Sequence, residues 1–460
     1  MKMLKTMLKV MKTRAKFTKS AICAALCLLM CGCSAGASVE NLLTPPKLLA
    51  EQDEIYRELI ASVGQGVKLK YPRSGDYRSA FVLHNIDDEP EDEAMVFYES
   101  KNNQSGESSL RLKFLDKNDG KWEAVYDMSC AGSEIDSISF AKLGTSDVTD
   151  IILCYTLLNQ TEKTFSVLKY VDKKPVEAVS GSYSCLEVTD LNSDGADELV
   201  TVSVNKATTL SSATMYTDGE NGFERLSETP LYGGVSDYLR VTKGQLDEDT
   251  PALFLDYSSG NQQAGTNVLY CYGNRLFCPD SVGQNPSSGI ISRQINDYMA
   301  QIYCFDIDGD GFVEIPSTAP LPGYETFTRP EQLCAVQWYT VTDDNFTREH
   351  YSYFSGKYRF ALLFPNRWWG VVTAVADFTA NEIIFISYSA ETGLAVTEET
   401  ELMRIRSVPK DDPEALEDAK SLKLLGESDD AVFYCIETAG YKTGKLALTE
   451  SELKASFIIL

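Results

Sequence analysis

Two stretches decide how this chain reads: Leu186-Glu-Val-Thr-Asp-Leu-Asn-Ser-Asp-Gly-Ala-Asp-Glu-Leu-Val200 and Tyr303-Cys-Phe-Asp-Ile-Asp-Gly-Asp-Gly-Phe-Val-Glu-Ile315. Each is an apolar run, then Asp-x-[Asn/Asp]-x-Asp-Gly-x-x-Glu, then a second apolar run. Oxygen-bearing side chains fall at positions one, three, five and nine: Asp190, Asn192, Asp194 and Glu198, then Asp306, Asp308, Asp310 and Glu314. Alternate side chains of a tight loop can point at one centre, and calcium takes six to eight oxygens at about 2.3–2.6 Å. Position six is Gly195 or Gly311, which permits the sharp turn. The backbone carbonyls of Ala196 and Phe312, at position seven, complete the expected ligand sets. An EF-hand requires a glutamate at position twelve; Thr201 and Ser317 stand there, so an EF-hand is excluded. The loops lie 116 residues apart and one runs straight into Leu199-Val-Thr-Val-Ser203, which excludes the close loop–helix pairs of dockerin modules.

Degenerate copies flank these two. Phe81–Phe97 carries Asn85, Asp87, Glu89 and Glu93, with Pro90 where glycine would stand. Weaker copies lie in Ile138–Tyr155 and Leu239–Tyr257, which lack an oxygen ligand at position one. Loop starts at Asn85, Leu143, Asp190, Gly244 and Asp306 give spacings of 58, 47, 54 and 62 residues. Strand-like runs such as Ser109–Phe114, Trp122–Tyr126 and Phe165–Tyr170 leave room for four strands per unit, and radial repetition protects sheet edges. The expected fold is mainly β: a β-propeller of about five four-stranded blades over residues 66–356, with room for a sixth in 275–300. A pair of β-sandwiches is the competing architecture. From residue 357 to 460 the pattern changes to a small α+β domain. Its expected strands are Val371–Ala376, Glu382–Tyr388, Glu401–Arg406, Ser421–Leu425 and Ala431–Glu437. Lys410–Lys420 is a charged loop or short helix, and Thr449-Glu-Ser-Glu452 opens a helix in capping-box form.

On these loops and their spacing the chain resembles the FG-GAP or VCBS repeat family, the calcium-loop propellers of integrin α chains and many bacterial surface proteins. The Phe-Gly and Gly-Ala-Pro landmarks of that family are absent. The resemblance implies two structural Ca2+ sites, at Asp190–Glu198 and Asp306–Glu314, and an interaction module.

The N-terminus reads as an address. Residues 1–20 hold seven lysines and arginines and no acid, followed by the short apolar run Ala21–Met30. Ten residues are too few to span a bilayer, which takes about 20, but suit the core of a secretory signal. Met30-Cys31-Gly32-Cys33-Ser34 resembles a bacterial lipobox, so residues 1–32 are expected to be a lipoprotein signal peptide and Cys33 the lipidated residue. Residues 33–65 form a tether and a helix that begins near Thr44-Pro45-Pro46 and ends near Gly64. Removing residues 1–32 takes the net charge from −25 to −32, which argues against nucleic acid as a partner.

Of twelve cysteines, eight lie beyond Cys33, mostly within apolar runs, and read as buried free thiols; Cys271 and Cys278 are the pair to watch. With only His84 and His350, a histidine-rich metal site is excluded. No nucleophile elbow, phosphate loop or dinucleotide fingerprint occurs, so no catalytic residue is assigned. Trp368-Trp369, with Tyr358 and Phe360, reads as an edge packing into a core rather than as a sugar platform. The resulting expectation is an extracytoplasmic lipoprotein, held to the cytoplasmic membrane by its lipid, monomeric, binding protein or glycan at the envelope. The competing reading is a glycan-active hydrolase using propeller-face carboxylates.

Overall fold

The computed structural model describes residues 50–460, apart from 100–108, 146, 158–162, 206, 209, 220–221, 232–233, 261–262, 280–292, 295–301, 329–330, 343–344 and 439–443. The signal segment, Cys33 and the expected helix start therefore lie outside the described residues. The chain divides into two units, Met1–Val63 and Gly64–Leu460. The described part of the first is one helix, α1, Ala50–Val63, with an Asp53–Arg57 pair one turn apart. Among the described residues no helix is long and apolar enough to cross a membrane.

The second unit is a succession of antiparallel sheets. The first holds Phe81–His84, Glu93–Glu99, Leu110–Asn118 and Lys121–Ser129, with Lys68–Leu69 also against Glu93–Glu99. The second is Glu134–Ala141, Asp150–Thr156, Lys163–Val171 and Lys174–Tyr183. The third is Cys185–Thr189, Glu198–Asn205, Leu210–Gly219 and Gly222–Pro230. The fourth is Asp237–Asp247, Thr250–Gly260, Gln263–Tyr272 and Arg275–Phe277. Short turns set these meanders. Asp119 and Gly120, between the paired residues Asn118 and Lys121, have φ of 50° and 73°, and Asp172 and Lys173 have 51° and 61°. Positive φ at both central residues matches the twist of a two-residue hairpin.

Burial explains the strand sequences. Val82, Phe97 and Phe114 of the first sheet meet Ile138, Leu153 and Leu168 of the second. Ile152 and Val167 meet Leu199 of the third; Val200 and Met215 meet Leu253 and Leu269 of the fourth; Phe254 and Val268 meet Ile315 and Val341 of the fifth. A sheet covered on both faces needs apolar residues at every position of its inner strands. Ile151–Tyr155 accordingly is a run of five consecutive buried apolar residues, whereas half of the outer strand Lys174–Tyr183 is exposed.

The fifth sheet runs Ile315–Pro320, Cys334–Thr342, Asn345–Ser355, Phe360–Leu363 and Phe457–Ile459, with Phe305 bridging Glu314 beside it. The boundary expected at 356/357 thus falls between two paired strands, Ser355 lying opposite Phe360. The chain's last strand closes on the same sheet, Phe360 opposite Ile459. A sixth sheet of Val372–Asp377, Glu382–Ser387, Glu401–Pro409, Ala431–Glu437 and Lys423–Glu427 packs on the free face of the fifth, where Ala335, Tyr353 and Leu362 meet Val372, Phe385 and Phe433. Two short helices, α2 (Pro413–Ala419) and α3 (Glu450–Ser456), complete this part. Both bonds of the capping box at Thr449 and Glu452 are present. Of the stretch 275–300, which has room for a further blade, only 275–279 and 293–294 are described; Arg293–Gln294 pairs with the fourth sheet.

Trp368 is buried in a 3-10 turn, Asn366–Trp368, with its indole N–H on the Leu446 carbonyl at 2.8 Å, and the Trp369 indole donates to Phe364 O at 2.9 Å. The pair is core, as expected, but enters it from a turn rather than a strand edge. The eight described cysteines are all free, five of them buried.

Candidate metal loops and a strand-lined cavity

The loops at 190–198 and 306–314 each join the first and second strand positions of a sheet. The position-one aspartate organises each loop by accepting backbone N–H bonds. Asp190 takes them from Asp194 (3.1 Å) and Gly195 (2.9 Å); Asp306 takes them from Gly309 (2.6 Å), Asp310 (3.1 Å) and Gly311 (2.9 Å). The position-nine glutamate closes the loop from the far strand, Glu198 accepting from Leu191 N at 3.1 Å and Glu314 from Ile307 N at 2.8 Å. Gly195 and Gly311 have φ of 91° and 96°, the left-handed backbone expected at position six. Position four is left-handed too, at Ser193 and Gly309.

Carboxylate oxygens of Asp190, Asp194 and Glu198 lie within 4.8 Å of one another, as do those of Asp306, Asp308 and Glu314. Either group can hold a metal ion. The third residues differ: position five joins the first group and position three the second. Asn192 Oδ1 instead accepts from Asp194 N at 2.9 Å, and its amide donates to Asp194 and to Asn274 of the fourth sheet. Asp310 accepts from Phe312 N, and Asp194 from Ala196 N, each at 2.9 Å. Ala196 and Phe312, expected as carbonyl ligands, thus enter the bonding of their loops through their N–H groups. The loop at 85–93 has the same closing bond, Ile86 N to Glu93 at 2.9 Å, but no convergent carboxylate group among the described residues.

The closing glutamates are only 1% exposed. Burial, then the neighbouring aspartates, pushes the Glu198 carboxyl up to about 7 and that of Glu314 up to about 8. Among the described residues no lysine or arginine pairs with either loop's converging acids. In the first two sheets lysines do arrive: Lys173 pairs with buried Asp116 near Glu93, and Lys142 lies 3.6 Å from Asp88.

Three features escaped the sequence reading. Asp150 begins the second strand of its sheet, as Glu198 does in its own; it is 0% exposed and no side chain hydrogen-bonds to either of its oxygens. His350 lies 3.1 Å from Asp308 across the fifth sheet. A cavity of about 650 Å³ is lined by first strands of four sheets, through His84, Phe140, Glu187 and Lys243 among others. His84 itself is satisfied: it stacks on Phe140 at 3.9 Å and meets the Tyr77 hydroxyl at 3.1 Å.

No protein-family profile matches the chain, and no curated protein matches it. Among solved structures it is similar to an exotype rhamnogalacturonan lyase, at 11% identity over 71% of this chain and 72% of that one, TM-score 0.29. A Bacillus licheniformis rhamnogalacturonan lyase gives 10% over 85% and 86%, TM-score 0.29. A Lactobacillus plantarum protein gives 10% over 70% and 83%, also 0.29. Likenesses this distant carry neither fold nor activity across to this chain.

Proposed function

We propose that this chain is a bacterial envelope lipoprotein, anchored outside the cytoplasmic membrane through Cys33. Its serial sheets close as a β-propeller of the FG-GAP or VCBS kind and act as a calcium-braced binding module for protein or glycan. The observation that carries the calcium reading is the pair of loops at 190–198 and 306–314. In each, a buried glutamate and two aspartates converge, and among the described residues no lysine or arginine balances them; the one basic side chain at hand is His350, 3.1 Å from Asp308 in the second loop. Uncompensated buried carboxylates are costly, and a divalent ion removes the cost while using the same oxygens. The propeller reading is supported by the stacking of successive sheets and by the cavity their first strands share, as strands around an axis would.

The test is calcium titration with thermal melting. At calcium a hundredfold above its dissociation constant each site adds about 2.7 kcal/mol, so chelation should lower the melting temperature by several degrees. Glu198→Gln and Glu314→Gln should each remove one of two bound ions. An unchanged melt after confirmed metal removal overturns the calcium reading. For the anchor, the whole chain should partition into detergent and Cys33→Ser should leave it in the aqueous phase; equal partitioning counts against lipidation.

A further inference from the structure

The cavity between the first strands gives the binding module a ligand class, and this inference rests on the module reading above. Its volume lies within the range of small-molecule sites, about 300–1,000 Å³. Its charges cancel locally. Asp136 Oδ2 accepts from Lys163 Nζ at 2.9 Å and from the Tyr183 hydroxyl at 3.1 Å. Lys243 Nζ lies 3.2 Å from Glu187 and donates to the Val188 carbonyl at 2.7 Å. Burial holds the His84 imidazole below its ordinary value, hence neutral at pH 7. Asp76, exposed at the rim, is the one lining acid with no basic partner among the described residues. An anion entering here meets carboxylates, and a cation meets lysines that are already engaged.

What the cavity offers instead is unspent hydrogen bonding. Asp136 Oδ1 has no partner among the described residues, and each ammonium has three donors with one or two in use. Ser137, Ser139 and Ser184 add hydroxyls. A carboxylate beside an ammonium suits a vicinal diol, one hydroxyl donating to the acid and its neighbour accepting from the lysine. Two such pairs line the cavity: Asp136–Lys163 within the second sheet and Glu187–Lys243 between the third and the fourth. The stacked His84 and Phe140 rings, with Tyr77 edge-on, form an aromatic wall of the kind the C–H face of a sugar packs against. We propose that this cavity binds a short, uncharged oligosaccharide.

Isothermal calorimetry on the calcium-loaded full-length protein in detergent would use cellotriose, xylotriose, mannotriose and galactotriose, with trigalacturonate as the charged counterpart. At least one neutral trisaccharide should bind saturably and more tightly than trigalacturonate. Asp136→Asn and Lys243→Met should each weaken it at least tenfold with the melt unchanged; Lys243, half exposed, serves if Asp136→Asn does not fold. Failure of every neutral sugar, preference for trigalacturonate, or parent-like binding by a folded variant overturns the proposal. Failure of all sugars in a protein whose melt still responds to calcium overturns the saccharide inference alone. A melt indifferent to calcium instead removes the calcium-braced module beneath it.

Discussion

Asp150 shows at one residue what the repeated scaffold must solve. It occupies the start of a second strand, where two other sheets place Glu198 and Glu314, and like them it is buried among other acids. Here the balancing charge is a lysine. Lys169 stands directly opposite Asp150 in the register, yet it pairs with Asp218 of the next sheet. Asp150 is left with no side-chain partner on either oxygen, and Asp218 with one oxygen unpaired. Burial, then Asp218, pushes the Asp150 carboxyl up to about 6, against the pull of Lys169. An unfolded aspartate titrates near 3.9, so the folded chain holds this proton more tightly. The stability it contributes is full below about pH 3.9 and is lost as pH rises through about 6. Asp150→Asn should therefore flatten the melting profile between pH 4 and 6. At pH 8 it should raise stability by up to about 3 kcal/mol, because each tenfold difference in proton affinity between folded and unfolded chain is worth about 1.4 kcal/mol and the two states differ by about two such steps. A variant less stable than the parent at pH 8 would show that the charge is stabilising where it stands.

At the scale of loops and strands, Gly144 links neighbouring sheets. Its N–H donates to Asp197 O at 2.8 Å and Thr145 N to Asp218 O at 3.1 Å, which docks the 142–149 loop on the third sheet. Gly144 has φ +62°, and a Cβ there would lie 2.3 Å from Thr217 Oγ1 and 2.4 Å from Asp218 O. Gly144→Ala thus adds a backbone clash to strain and should cost about 2–4 kcal/mol. Gly195→Ala, also at positive φ but with nothing within 4 Å, should cost about 1–2 kcal/mol of strain alone. Equal losses in chemical denaturation would remove the clash argument. Much at this scale was legible in the chain because its signals are local. Apolar runs, acidic turns and the Thr449–Glu452 box are each written within a few residues, and the strands at 372–377, 382–387 and 431–437 appear within a residue of where their runs are. What was not legible is who pairs with whom. Nothing in Phe360–Leu363 states that Phe457–Ile459 lies beside it, because register is a property of two distant segments. His350 reaches Asp308 for the same reason, and the strand-lined cavity emerges only when four first strands are brought together.

For the whole molecule, the decisive fact is that residues on both sides of Gly356 share a core. Leu321, Tyr324, Ala335, Tyr351 and Tyr353 come from before it; Phe360, Trp368, Phe385 and Phe433 come from after it. Burying a large apolar side chain contributes about 1.5–3 kcal/mol, so the first group alone stands for roughly 10 kcal/mol as an upper bound. That is comparable to the whole stability of a typical domain, about 5–15 kcal/mol. A chain stopped at residue 356 would expose that face, and the edge strand Asn345–Ser355 would lose its partner Phe360–Leu363. Open, apolar sheet edges invite association. We therefore expect residues 64–356 alone to bind a hydrophobic dye and to aggregate without a cooperative melt. Removing only Phe457–Leu460, which strips the outermost strand and its contacts with Phe360 and Phe433, should lower the melting temperature of the otherwise intact chain. Trp338 reports on the same event, because its buried indole donates to Ser352 at 2.9 Å within the fifth sheet. Its fluorescence should change in step with the loss of secondary structure in the full chain. A 64–356 fragment that melts cooperatively as a monomer would show instead that the shared core is a docking face between two independent folds.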